Sequence, residues 1–295
     1  MQETRKRNIQ NDKKNQNLVN DSKINGIQNK SKLNENLKLK ILSRTVVIFA
    51  LLIVVYYTQH GDKIKPFAKQ SELLPGKGQI VECSTEYMKE VDKFEGCFPK
   101  ACKRFVTDKV VSVREAEDLL AVAKKGLKIG RSSGGASILD LHSGALSMGQ
   151  HFINIYKIEE VKNLFTEQDF NTYRAQTTAP FGLILTHLTS FFDIHSSCHA
   201  RSWRKIIETY KSFHYTTLLY LSDYDIDFKG GRFVFIDEKF NRTIEPRKAR
   251  LSMFTSGKEN LHYVEKVTSG VRYAMTISFT CDKQYAVEDP NANKY

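Results

Sequence analysis

The sequence predicts an α+β protein whose core is a β sandwich or jelly roll, preceded by packing helices and by one N-terminal transmembrane helix. Three observations predict it: a cluster of short β-rich runs after Pro180, two capped amphipathic segments before them, and one apolar stretch behind a basic tail. At 295 residues with 41% apolar side chains, the chain is long enough for a substantial core.

Residues 1–44 carry eleven Lys/Arg against four Asp/Glu, and are rich in Asn, Gln and Lys with few aromatics. Such a segment cannot bury enough apolar surface to fold, and it reads as a disordered cytoplasmic tail. The tail holds +7 of the net charge of +12; the remaining 34 basic and 29 acidic residues leave only +5. That distribution, with no aromatic-rich basic groove, argues against a nucleic-acid partner.

From Thr45 to Thr58 the chain is apolar, and no charge follows Arg44 until Asp62. The predicted span, 45–61, falls short of the roughly 20 residues a bilayer core requires, but Ile41 and Leu42 extend it if Arg44 snorkels. A cleaved signal peptide and a buried core helix are the rival readings; the long tail and the lack of small residues at a cleavage position count against the first. The expectation is a signal anchor of a single-pass type II protein of the endoplasmic reticulum or Golgi, with the soluble part in the lumen.

All five cysteines follow the span. Some of Cys83, Cys97, Cys102 and Cys281 are expected to form disulfides in that compartment, with the connectivity open and Cys198 set aside. Cys97 and Cys102 could instead form a metal hairpin, although no second Cys/His pair at ligand spacing accompanies them. Asn241-Arg-Thr243 is a glycosylation sequon on a polar turn; Asn20 and Asn29 also begin sequons but would face the cytoplasm.

Residues 62–80, polar and containing Pro66 and Pro75-Gly76, read as a stalk. A cysteine-bearing and helical region is expected over 81–178. Within it Ser112-Val-Arg-Glu115 has capping-box spacing, with Ala116, Leu119, Leu120 and Ala123 on one face of a helix ending near Gly126. Gly130–Ser137 is glycine-rich but lacks the ending of a phosphate loop, and reads as a flexible connection. Thr166-Glu-Gln-Asp169 caps a second helix to about Gln176. The β core is expected over 179–285, in the runs Phe181–Phe192, Tyr215–Ser222, Arg232–Ile236, Ala249–Thr255 and Val271–Thr280, followed by a tail at 286–295.

Two residues in the last of these stretches point to a site. The run Val271–Thr280 alternates with a period of two: Val271, Tyr273, Met275, Ile277 and Phe279 on one face; Arg272 above Ala274, Thr276, Ser278 and Thr280 on the other. A guanidinium over small side chains suggests a cavity that could hold a carboxylate through two parallel hydrogen bonds. A solvated strand face with one surface Arg would alternate in the same way. His262 precedes it by ten residues.

The series Tyr215–Ser222, Gly230-Gly-Arg-Phe-Val-Phe235, Ile244-Glu-Pro246, Arg250–Gly257, Asn260-Leu-His262 and Gly270–Phe279 resembles the C-terminal half of prolyl 4-hydroxylase-type 2-oxoglutarate and iron-dependent oxygenases. The resemblance covers roughly residues 80–285. It implies a double-stranded β-helix in which His262 is the distal Fe(II) ligand, Arg272 grips the far carboxylate of 2-oxoglutarate, and Tyr220 assists it. It further implies O2 as co-substrate, ascorbate as a candidate reductant, and hydroxylation of a protein or peptide with decarboxylation of 2-oxoglutarate to succinate. A neutral imidazole and a cation at the far end of a keto acid suit that chemistry.

The sequence departs from the family at one place. The His-x-Asp pair that should precede Tyr215 is missing: the window runs from His195 through His199 and Glu208 to His214, and Asp193-Ile-His195 has the pair's letters in reversed order. His60-Gly-Asp62 has the right letters beside the membrane span. A pseudoenzyme, a substitute carboxylate, or a short coding piece lost between Cys198 and Thr209 would each account for this. An inactive membrane-tethered β-helix binding module is therefore the alternative to the dioxygenase.

Overall fold

The computed structural model describes residues 39–56, 64–141, 143–161, 163–177, 184, 190–192, 199–201 and 213–285. Residues 1–38 of the expected 1–44 tail and the expected tail at 286–295 lie outside the described residues, as do His60, Asp62, Asp193, His195, Cys198 and Glu208, while residues 39–44 are helical. The chain divides into two compact units, Met1–Lys63 and Ile64–Tyr295.

In the first unit, α1 (Leu39–Tyr56) is long and apolar enough, by length and composition, to cross a membrane. It begins before the expected Thr45, so Ile41 and Leu42 are helical. The hydroxyls of Ser43 and Thr45 donate back to the carbonyls of Lys40 and Leu42, at 3.1 and 2.8 Å, which settles their polar groups within the helix.

The second unit is built on two sheets. The larger is antiparallel and six-stranded, in the order β2 (Lys77–Val81), β3 (Cys102–Thr107), β12 (Leu251–Thr255), β8 (Tyr215–Tyr220), β15 (Ala274–Thr280), β7 (His199–Arg201). The smaller has the order β1 (Lys65–Ala68), β11 (Arg242–Ile244), β10 (Phe233–Phe235), β13 (His262–Val264). Phe233, Phe235, Ile244 and Phe67 of the small sheet share one buried cluster with Val106, Leu218, Tyr220 and Phe254 of the large one. The two sheets therefore pack face to face. β9 (Phe228–Gly230) and β14 (Val267–Gly270) form a separate ribbon.

The opposite face of the large sheet is covered by a helix. After α2 (Thr85–Val91), Ser112 and Glu115 close the expected capping box of α3 (Val113–Leu127). Its Ala116, Leu119 and Leu120 bury against Leu219, Leu251, Met253, Ile277 and Phe279. Further along, Val122 faces a satellite core made by α4 (Glu167–Thr177) and the hairpins of β4 (Leu139–Asp140), β5 (Ala145–Met148) and β6 (His151–Asn154). Thr166 and Asp169 cap α4 reciprocally. Gly126 lets that packing close: a Cβ there would stand 2.4 Å from Leu139 Cδ2.

Three expectations are corrected. The 62–80 segment is no stalk, because β1 pairs with β11 and β2 with β3, with Phe67 and Ala68 buried. The cause is Arg250, wholly buried, which donates to Asp108 and to the carbonyls of Lys69, Glu72 and Glu245 and so ties that segment down. For the same reason no domain boundary falls at 178/179, since β2 and β3 lie in the sheet that holds β8, β12 and β15. In the run 181–192, residues 184 and 190–192 are helical rather than extended, and the bulk of Ile184 and Phe192 goes into the core beneath α3.

Cys83 bonds to Cys102 and Cys97 to Cys281, so the expected cysteines are used and the Cys97–Cys102 metal hairpin is excluded. The second bridge ties the end of β15 to the start of the domain, beside His214. His214 is 1% exposed; its Nδ1 accepts from Cys281 N at 2.9 Å, and its carbonyl accepts from Tyr87 Oη at 3.0 Å. Burial pushes its pKa down from 6.5 to about 4, against an opposing pull from Asp282. Glu90 Oε1 lies 3.7 Å from Nε2, and burial raises that carboxyl while Lys93 lowers it.

A histidine with a depressed folded pKa stabilises the fold while both states are neutral, above pH 6.5. Between pH 6.5 and 4 the unfolded chain takes a proton that the folded chain refuses. We expect acidification across that window to remove up to about 3 kcal/mol of stability. Denaturant titrations at stepped pH should show a slope in wild type that His214→Phe flattens; an unchanged slope in the variant would place the acid sensitivity elsewhere.

Candidate functional site

Arg272 lies just before β15, not inside it. β8 ends at Tyr220, so residues 271–273 have no partner strand, and Val271 is exposed. They are fixed differently: Tyr273 N donates to Ser222 Oγ at 2.9 Å, and Tyr273 O accepts from Leu221 N at 3.0 Å. The alternation expected for 273–279 holds, with Tyr273, Met275, Ile277 and Phe279 all facing the core beneath α3.

The other face carries the site. The Arg272 guanidinium lies over the ring of Tyr220, 5.6 Å from its centroid. Its side chain passes Gly231 (φ 66°), where a Cβ would meet Arg272 Cδ at 3.0 Å and Val267 Cγ2 at 2.9 Å. Glycine both supplies the left-handed backbone and leaves the passage open. Arg272 Nε and Nη2 are buried with no hydrogen-bond partner among the described residues, and the same is true of Tyr220 Oη. Burial pulls the pKa of Arg272 down, with Tyr220 opposing, and burial pushes the Tyr220 phenol far up. An anion would relieve the buried guanidinium, and a phenol kept neutral can donate its proton to such an anion. The Nε–Nη2 edge of a guanidinium is the fork that receives a carboxylate through two parallel bonds.

His262 begins β13 on the facing sheet, and its ring borders the same intersheet cluster. It stacks on Phe233 at 4.8 Å between centroids and meets Phe254 edge-on at 5.0 Å. The residue as a whole stays exposed, so these rings cover part of the imidazole and leave the rest open. Partial burial lowers its pKa, the Asn260 carbonyl raises it, and Arg104 lowers it further. Nδ1 is 2.7 Å from Asn260 O. A proton on Nδ1 donated to that carbonyl leaves the Nε2 lone pair for a ligand, the arrangement metal-binding histidines use.

What holds the His262 loop was not legible in the sequence. Asn260 is buried, and its amide donates to Thr255 O and Oγ1, both at 2.8 Å. Its Oδ1 accepts from Arg104 Nε at 2.5 Å, across a separation of 156 residues. Arg104 also forks onto Asp237 (3.0 and 2.7 Å), donates to Glu259 O, and lies over Phe235. An arginine in β3 thus positions a histidine in β13; its sequence neighbours give no sign of this.

Among the described residues no group of three or more His, Cys, Asp or Glu stands where it could hold a metal. His199 opens β7, paired with Thr280. Asn241 sits on the turn before β11, half-buried, with its carbonyl accepting from Lys65 N at 2.8 Å.

Two facing sheets thus carry an unpaired guanidinium edge beside one and a histidine on the other. Residues 185–280 match the family model of the 2OG-Fe(II) oxygenase superfamily. The mouse "2-oxoglutarate and iron-dependent oxygenase domain-containing protein 3" is 49% identical over 249 residues, covering 78% of this chain and 79% of that protein. The human protein of the same name is 48% identical over 84% of each chain. This chain belongs to the 2-oxoglutarate and iron-dependent oxygenase family. Human "Prolyl 3-hydroxylase 2" is 40% identical over 74 residues, 24% of this chain and 10% of that protein. A solved prolyl hydroxylase from Trichoplax adhaerens superposes with a TM-score of 0.37 at 15% identity, covering 62% of this chain and 85% of that one, too loosely to add to the argument.

Replacing Arg272 by Met keeps the aliphatic stem and removes a buried charge that has no partner. We expect Arg272→Met to stabilise the ligand-free protein by about 1–3 kcal/mol, read as a higher melting temperature. A lower one would mean that the guanidinium is already paired.

Proposed function

We propose that this chain is a membrane-anchored 2-oxoglutarate- and iron-dependent dioxygenase that hydroxylates a protein or peptide while 2-oxoglutarate is converted to succinate. The observation that carries this reading is the Arg272 guanidinium over the Tyr220 ring, with Arg272 Nε and Nη2 and Tyr220 Oη all buried and without a hydrogen-bond partner among the described residues. An unpaired buried guanidinium edge is costly, and a carboxylate removes the cost. Arg272 and Tyr220 would hold the far carboxylate of 2-oxoglutarate, and His262 would offer Nε2 to Fe(II) on the facing sheet. The double-stranded β-helix implied by the family is consistent with the two facing sheets.

The donor set fits 2-oxoglutarate and falls short of iron. In the family, iron supplies O2 activation, with ascorbate as candidate reductant; here His262 is the one expected ligand among the described residues, and no His-x-Asp or His-x-Glu pair occurs between Phe181 and Tyr215. That absence favours a second reading, a membrane-tethered β-helix module that binds 2-oxoglutarate without turnover.

The full-length chain in detergent, titrated with 2-oxoglutarate with and without Fe(II) while succinate is followed, separates the two. We expect saturable binding that Arg272→Met weakens by at least about tenfold. Succinate formation would establish the dioxygenase, binding without succinate would leave the module, and no binding would sink both.

The anchor we place at α1, with the basic tail in the cytoplasm and the sandwich in the lumen of the endoplasmic reticulum or Golgi. The two disulfides and the Asn241 sequon support that side. In microsomes the C-terminal bulk should resist added protease and should carry a glycosidase-sensitive mass increment that Asn241→Gln removes. Digestion of that bulk would reverse the topology.

A further inference from the structure

The edges of the two sheets are not alike. β1 carries Lys65 and Pro66 and β2 opens on Lys77, the residue types that keep an edge from pairing with another chain. β13, the other edge of the small sheet among the described residues, reads His262-Tyr-Val264 and has no such guard. Tyr263 is 40% and Val264 45% exposed, and Leu261 just before them is 58% exposed.

The paired side of β13 shows which backbone groups its free side offers. Ile236 N donates to Leu261 O at 2.8 Å and Glu265 N to Arg232 O at 2.9 Å, so the hydrogen-bonded pairs with β10 are Ile236–Leu261, Val234–Tyr263 and Arg232–Glu265. His262 and Val264 fall between these, opposite Phe235 and Phe233. Their N–H and C=O groups therefore point away from β10, and neither residue has a further backbone partner among the described residues. Their side chains stand on the intersheet face, where the His262 ring stacks on Phe233.

We propose that β13 takes an extended, non-prolyl peptide as an added antiparallel strand, and that this peptide is the substrate of the neighbouring site. Two donors and two acceptors are on offer, at His262 and Val264. A guest residue directly opposite His262 exchanges both bonds with it and lays its side chain on the same face as the imidazole. That residue needs an N–H, which proline lacks, and so does the one opposite Val264. The guest residue between them points its N–H away from β13, and there proline is tolerated. Charge selects further. Lys266, two residues beyond Val264, is exposed and has no carboxylate partner among the described residues, whereas Glu265 is spent on Arg232 and Lys258 on Glu86. A guest with an acidic residue at the Lys266 end is complementary to it. The inference deepens the proposed function, whose chemistry it assumes, by naming the class of peptide: the residue presented beside His262 is not proline.

A library of blocked nonapeptides of random sequence, captured by the full-length chain in detergent without 2-oxoglutarate or iron and sequenced by mass spectrometry, tests this. We expect enriched peptides to lack proline at two positions two apart and to carry Asp or Glu toward one end. No enrichment over empty micelles, or proline enriched at those positions, would overturn the proposal. Val264→Lys gives β13 the guard that β1 and β2 carry, and Val264→Pro removes an outward N–H but no bond to β10. Each should weaken binding of the most enriched peptide at least about fivefold, and wild-type binding by either would count against strand addition and overturn it. In the free protein the His262 and Val264 amides should exchange with solvent at least about tenfold faster than that of Tyr263, and should slow when the peptide is added. Slow exchange at both without peptide would mean that another part of this chain or a second copy already holds the edge, which would also overturn it. Because the selection needs no co-substrate, its failure leaves the 2-oxoglutarate grip standing, and a failure to bind 2-oxoglutarate leaves the selection unchanged.

Discussion

The architecture depends on the buried guanidinium of Arg250. An arginine has five N–H donors, and Arg250 uses all of them: Nε and Nη2 fork onto Asp108 at 2.8 and 3.0 Å, Nη1 reaches Lys69 O and Glu245 O, and Nη2 reaches Glu72 O. These bonds join the segment after β1, the connection after β3 and the connection after β11 to the start of β12. The same turn fixes Tyr220, whose N–H donates to Arg250 O and whose carbonyl accepts from Ala249 N. Removing either charge of the Arg250–Asp108 pair would leave the other buried and uncompensated, the costly case for ion pairs.

Against that standard the other two interior arginines can be ranked. Arg104 spends its donors on Asn260, Asp237 and Glu259 O, and its consequence is local: the loop that carries His262 is held in one conformation. Arg272, close by at the Tyr220 end of β8, leaves Nε and Nη2 unpaired. Three arginines in one sandwich thus show a gradient from fully satisfied to partly unsatisfied. The unsatisfied one is where the proposed co-substrate site falls.

What the sequence made legible follows from locality. The alternation of Tyr273–Phe279 and the β-rich run from Tyr215 are properties of successive residues, and so are the capping boxes at Ser112 and Thr166; all four are present in the structure. The cation over small side chains was legible for the same reason. β1 and β2 were not: Lys65-Pro-Phe-Ala and Lys77-Gly-Gln-Ile-Val are short, polar or proline-bearing, as edge strands tend to be. They become strands through partners distant in sequence, including bonds to Glu245 and Arg250 across 175 to 181 residues. Disulfide connectivity and the support of His262 by Arg104 belong to the same long-range class. The helical residues 190–192 were read as strand because Phe191 and Phe192 suit either state, and burial, not propensity, decides between them.

The distribution of these contacts also explains why half a site can persist without the other half. Tyr220 and Arg272 lie on or beside β8 and β15, central strands of the six-stranded sheet, each hydrogen-bonded on both sides. His262 lies across the core, held by its own arginine. The missing His-x-Asp pair belongs in the window before Tyr215, and the one described strand of that window, β7, is the sheet's edge, bonded only to β15. A change there costs the sheet at most one row of hydrogen bonds and none of the contacts through Arg250 or the Cys97–Cys281 bridge. The strands that carry the proposed co-substrate grip are central to the sheet, whereas the described strand of the window in question is at its edge. A chain that lost the pair would still fold and still present unpaired donors to a carboxylate.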